Sequence, residues 1–110
     1  RHNLFSASLR WPHGLDWPLW QAALQQLQAQ CGDALVRVKG LLQVNGLDGP
    51  MLVQWVAQQA PEMTPQNRWP DQDADSRLVL IVRHPQADFP SRLLAHWETL
   101  LNQLQVAPSA

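Results

Sequence analysis

The stretch LVRVKGLLQVNG, residues 35–46, holds the chain's only lysine, Lys39, two positions from Arg37 in a run of strand-forming aliphatics. A strand sends successive side chains to opposite faces. Val36, Val38, Leu42 and Val44 then share one face with Gly40, while Arg37, Lys39, Leu41 and Gln43 share the other. The first face suits a core; the second suits water or a partner.

Working outward, the segment NLFSASLRW before it also alternates, with Phe5, Ala7, Leu9 and Trp11 on one side and Leu4, Ser6, Ser8 and Arg10 on the other. It reads as a half-buried strand. Between the two, Trp20, Ala23, Leu24, Leu27 and Cys31 recur at helical spacing, with glutamines opposite. Asp16 stands as the N-cap, Pro18 falls in the first turn where its missing N–H costs nothing, and Gly32 follows the end.

After residue 44, NGLDGP favours chain reversal and MLVQWVAQ returns as the partner of a hairpin, with Met51, Val53, Trp55 and Ala57 on one face. Residues 58–75 have no usable period and contain three prolines, so they are expected to form one long loop. SRLVLIVRH is too apolar for an edge strand and places Leu78, Leu80 and Val82 in the core. DFP then repeats the DWP opening of the first helix, with Asp88 as N-cap and an apolar stripe of Leu93, Trp97, Leu100, Leu101 and Leu104. The expected fold is α+β: a mostly antiparallel four-stranded sheet with two helices on one face, a ferredoxin-like variant of order β-α-β-β-β-α. Strand order stays open.

At 110 residues the chain is one ordinary domain, able to fold without staples. A net charge of -1 gives no reason to expect nucleic acid as the main ligand. One cysteine excludes an intramolecular disulfide and suits a reducing, cytoplasmic setting. No apolar run approaches the 18 residues or so of a membrane span, and no charged-then-apolar leader is present. The start at Arg1, with Ser6 to Arg10 already strand-like, points to a piece of a longer protein.

Catalytic chemistry finds little foothold. Asp71, Asp73 and Asp75 have the spacing that opens a calcium loop, but Ser76 stands where that loop needs Gly and Val82 where it needs Glu. His2, His13, His84, His96 and Cys31 lack zinc-site spacing. There is no nucleophile motif, no phosphate loop, and no carboxylate pair on the strands. An enzyme is therefore not expected, nor a bound metal. What remains is a basic sheet face: Arg10, Arg37, Lys39, Arg77 and Arg83, interleaved with Gln43 and Gln54, all point away from the helices. It is either a solvated face or one that docks a partner. An RNA-binding sheet would also need exposed aromatics, and Phe5, Trp11 and Trp55 fall on the helix side.

Four motifs in order, spread over three segments, carry a resemblance. LVRVKGLLQVNG, GPMLVQWVAQ and RWPDQDADSRLVLIVR are similar to the C-terminal domain of the CobW family, metal-insertion GTPases that include cobalamin-biosynthesis proteins and zinc chaperones. The matching positions are Arg37, Lys39 and Gly40; Gln54 and Val56; Trp69 and Pro70; Ser76, Arg77 and Leu78; and Ile81, Val82 and Arg83. Val82 stands where the family has Gly, HPQADFP replaces its usual link to the last helix, and its histidine-rich stretch is missing. The resemblance implies a non-catalytic domain of a cytoplasmic, GTP-dependent metallochaperone. The P-loop, magnesium site and CxCC metal motif would lie in an N-terminal GTPase domain outside this chain. GTP, magnesium and a transferred metal such as zinc or cobalt would then belong to the parent. Expected partners are that GTPase domain, a client metalloprotein, or a second copy, with no membrane or nucleic acid. Arg10, Arg37, Lys39, Gln54, Arg77 and Arg83 are the expected partner-facing residues, with Arg37 and Lys39 meeting the acidic residues Asp71 to Asp75. The alternatives are a stand-alone protein- or RNA-binding module and, more remotely, a metal sensor using Cys31 and the histidines.

Overall fold

In a computed structural model, described for residues 3–106, the chain forms β1 (Leu4–Trp11), α1 (Trp17–Cys31), a 3-10 turn (Gly32–Ala34), β2 (Leu35–Leu42), β3 (Met51–Val56), β4 (Glu62–Pro65), β5 (Ser76–Arg83) and α2 (Phe89–Val106). The sheet has five strands, not the four expected, in the order β1-β5-β2-β3-β4, with every neighbouring pair antiparallel. The extra strand, β4, lies inside the expected loop and pairs with Met51 to Gln54 of β3. Its four residues are all exposed and Pro65 ends it, so a run this short carries no burial signal. Proline at such an edge is tolerated because no further strand needs its N–H.

β5 runs antiparallel between β1 and β2, so those two are parallel to each other and joined through α1. As expected, β5 is central: Leu78, Leu80 and Val82 are buried and join Val38, Leu42, Val53 and Trp55 beneath the helices. Each such aliphatic contributes about 1.5–3 kcal/mol by burial. The α1 stripe of Trp20, Ala23, Leu24, Leu27 and Cys31 is fully buried, as the spacing predicts. On α2, Leu93, Leu94, Trp97 and Leu101 are buried, while Leu100 and Leu104 flank the core; Leu94 widens the expected stripe.

Two local details depart from the sequence reading. β2 carries an irregularity between Leu35 and Arg37: Leu35 faces Val82 and Arg37 faces Ile81, so one residue of β2 is left over. This bulge puts Leu35, not Val36, in the core and leaves the Arg37-to-Leu42 alternation intact. Asp16 occupies the α1 N-cap, and its backbone carbonyl accepts from Leu19 and Trp20, but its carboxylate accepts from Asn45 Nδ2 at 2.9 Å and makes no side-chain cap. That contact ties the helix start to the end of β2, where Leu15 and Val44 form a parallel bridge. At the other end of α1, Gly32 has φ 55° and its N–H reaches Gln28 O, which only glycine does without strain.

Three tryptophans fill the space between helices and sheet. Trp11 meets Trp20 edge-on at 5.7 Å, and Trp20 lies 6.3 Å from Trp97. Each indole N–H has a partner: Asn102 Oδ1 for Trp11, Gln43 O for Trp20 and Ala23 O for Trp97. At Gly40 the β5 backbone comes close to β2. A Cβ there would lie 2.8 Å from Arg77 O and 3.3 Å from Leu78 Cα. Gly40→Ala is therefore expected to lower stability by about 1–3 kcal/mol through overpacking. Urea unfolding would read this as a lower midpoint at unchanged slope, and an unchanged midpoint would mean that the strands part without cost.

Candidate interaction surface

The sheet face opposite the helices is built by the second parity of each strand. Reading across it, Ser6, Ile81, Arg37 and Val56 stand side by side, followed by Ser8, Val79, Lys39, Gln54 and Glu62, and then Arg10, Arg77, Leu41, Leu52 and Thr64. The expected residues Arg10, Arg37, Lys39, Gln54, Arg77 and Arg83 therefore do share one face. Its centre, however, is apolar. Val79 is 46% exposed, and a shallow groove of about 510 Å³ runs between Arg37, Lys39, Leu41, Leu52, Arg77, Val79 and Ile81. Alternation puts Leu41 on this face with the cations, but Leu52, Val79 and Ile81 look like core until the parity of their strands is fixed by the neighbouring ones.

The cations fall into two groups. Arg77 is bound on every side: its guanidinium donates to Asp71 Oδ2 at 3.0 Å and to the carbonyls of Asp73 and Asp75, and it lies 5.2 Å from the Trp69 ring. Arg10, its neighbour across β1, pairs with Asp73. Asp71 and Asp73 also accept from the backbone N–H two residues on, at Asp73 and Asp75. The spacing that suggested a calcium loop thus builds a turn whose carboxylates are taken by arginines.

Arg37 and Lys39, in contrast, form no ion pair among the described residues. The expectation that they meet the acidic loop is not met. That loop leads directly into β5, so Arg77 and the adjacent Arg10 reach it first. The β2 residue beside Arg77 is Leu41, and Lys39 lies a full strand pleat further along. Gln54 donates to Glu62 at 3.2 Å, which links β3 to the strand that sequence reasoning missed. Arg83 sits at the far end, opposite Leu4.

Of the remaining matched positions, Trp69 is half-buried and lines a second hollow with Leu41, Pro50, Pro70 and Asp71. Ser76 is 3% exposed, and its Oγ accepts from Gln43 N at 2.8 Å, extending β2–β5 contact beyond the ladder. Among the described residues the buried side-chain N or O atom left without a partner is Trp55 Nε1.

The candidate metal ligands are scattered. His13 packs edge-on against Trp11, His84 stacks on Phe89 at 3.9 Å, and His96 is exposed on α2. Cys31 is buried, and desolvation pushes its thiol up to about 11. The described residues contain no group of three His, Cys, Asp or Glu side chains placed to hold a metal. His2 lies outside them.

These features define an α+β domain with helices on one sheet face and a mixed apolar and basic groove on the other. The chain belongs to the family described as "Cobalamin synthesis protein cobW C-terminal domain", whose profile matches residues 5–101. Among solved structures, the zinc-bound YjiA GTPase from E. coli superposes with a TM-score of 0.71 at 22% identity, covering 89% of this chain. A zinc-bound triple mutant of YjiA gives 0.68 at 21% identity and 86% coverage. The chain spans about 30% of the length of either structure. No curated protein matched it.

The acidic turn sets a pH dependence. The hydrogen bond from Arg77, then that from the Asp73 N–H, holds the Asp71 carboxyl below its ordinary value. The Asp75 N–H, then Arg10, does the same for Asp73. A depressed folded-state value gives stability that is present above the unfolded value near pH 4 and lost as pH falls through the folded one. The double variant Asp71→Asn/Asp73→Asn should thus be less stable at pH 7 and show a shallower loss below pH 4 in thermal melts. An acid limb identical to that of the parent chain would show the arginine contacts to be energetically idle.

Proposed function

We propose that this chain is the non-catalytic interaction domain of a cytoplasmic, GTP-dependent metallochaperone. In this reading its open sheet face receives either the GTPase domain of the same protein or the client metalloprotein. The parent would bind GTP and magnesium and move a metal ion such as zinc or cobalt, in cobalamin biosynthesis or metal delivery. Family membership supports the setting. The observation that carries the interaction is the groove beside Arg37 and Lys39: two cations without ion-pair partners border exposed Val79 and half-buried Ile81, Leu41 and Leu52. An interface core is apolar and desolvated, whereas rim charges steer and select the partner. A partner with carboxylates around an aliphatic ridge fits that surface.

The alternative of an RNA-binding module finds less support. The strand residues of the open face include no aromatic ring, and the nearby Trp69 is held under Arg77, so bases have no stacking platform there. No helix among the described residues is long and apolar enough to cross a membrane.

The test is Arg37→Glu/Lys39→Glu in the full-length parent. Both side chains are exposed, so the melting temperature should hold. Loss of client metallation by about tenfold or more, equivalent to about 1.4 kcal/mol, with GTP hydrolysis unchanged, would assign the face to the client. A changed GTPase rate would assign it to the neighbouring domain. If both activities and stability are unaltered, the proposal fails.

A further inference from the structure

The two edges of the sheet are treated very differently. β4 is four residues long, follows Pro61 and ends in Pro65, a blunted edge of the kind that discourages further pairing. β1 is eight residues long, has no proline, and carries one charge, Arg10, that Asp73 already engages. Among the described residues β1 pairs only with β5, so its outer edge is a complete row of backbone donors and acceptors.

Which groups face outward can be worked out. The His84 N–H donates to Asn3 O at 2.8 Å, and this pair continues the Leu4–Arg83 register by one step. In an antiparallel ladder, bonded and non-bonded pairs alternate. Phe5, Ala7 and Leu9 therefore bond inward to β5, and Leu4, Ser6, Ser8 and Arg10 turn their N–H and C=O groups outward. Phe5, Ala7 and Leu9, which point to the helix side, are only partly buried, unlike the equivalent residues of β5.

We propose that this edge pairs with the same edge of a second copy, β1 against β1 antiparallel about a two-fold axis at Ala7, joining two sheets into one of ten strands. The sequence around Ala7 is close to self-complementary. Ser6 comes opposite Ser8 of the second copy, Phe5 opposite Leu9, and Leu4 opposite Arg10. Every residue with outward-facing backbone groups meets another such residue, so the register closes with no group stranded. The small Ser6-Ala7-Ser8 centre lets the strands approach, and the half-covered Phe5 and Leu9 gain an apolar neighbour. A two-fold axis makes this contact isologous and self-limiting. It would also set the two open faces side by side, and it does not depend on what those faces bind.

Sedimentation of the 110-residue chain over a concentration series should give a mass rising from 12.5 kDa to twice that value. Ser8→Pro removes an outward N–H only, a change an edge strand accepts, and should return the monomer with its melting temperature at low concentration unchanged. The register is checked by cysteine. Oxidised Ala7→Cys should cross-link two copies, since facing residues in a non-bonded pair lie about 4.5 Å apart; Ser6→Cys should not, its two copies being beyond the roughly 7 Å limit for a disulfide. Arg37→Glu/Lys39→Glu should leave the dimer intact. A chain that stays monomeric up to about millimolar concentration, a dimer that persists in folded Ser8→Pro, or cross-linking of Ser6→Cys in place of Ala7→Cys would overturn the proposal. If Ser8→Pro fails to fold, the two cysteine variants decide alone.

Discussion

The antiparallel insertion of β5 between β1 and β2 is the pairing on which the rest of the molecule depends. It gives both neighbours their ladder, buries Leu78, Leu80 and Val82 under the helices, and fixes the opposite parity as the open face. It also makes Gly40 necessary, because the β5 backbone at Arg77 and Leu78 occupies the space a side chain would need. The same strand delivers the acidic turn to Arg10 and Arg77, so the electrostatics of one groove wall follow from the strand order.

The helix layer is joined to this sheet by aromatic groups with polar ends. Trp11, Trp20 and Trp97 each combine a large buried surface with one N–H, and each N–H finds an acceptor on a different element. Truncating a buried aromatic of this kind costs about 3–5 kcal/mol, and the paired donors fix which part of each helix lies over which strand. Trp55 lacks such a partner. It sits beside Pro61 and Met63 at the blunted edge, where the sheet ends.

Much of this was legible from side-chain spacing. The α1 stripe, the central position of β5 and the parity of β1, β2 and β3 follow from periodicity, since burial on one side is what that periodicity encodes. β4 was not legible: its stability comes from pairing with β3, and Glu62 to Pro65 carry no burial signal of their own. The bulge at Val36 was hidden for a similar reason, because Leu35 and Val36 are equally apolar and only the β5 register chooses between them. On the open face, alternation placed the six expected residues together but could not pair them. Arg10 and Arg77 take the aspartates because of which strands are neighbours, and strand order is a long-range property.

That long-range property also governs the order of assembly. Leu4 pairs with Arg83, so among the described residues β1 finds its ladder partner about eighty positions further along the sequence. The β2–β3 hairpin can close as soon as it exists, whereas β1 must wait until β5 has been made and docked, and the entropy of closing so large a loop is met only then. Assembly is thus expected to run outward from the interior hairpin, with β1 joining last. In refolding, pulse-labelled hydrogen exchange would then protect the amides of β2 and β3 before those of β1; simultaneous protection would mean that the sheet forms in one step.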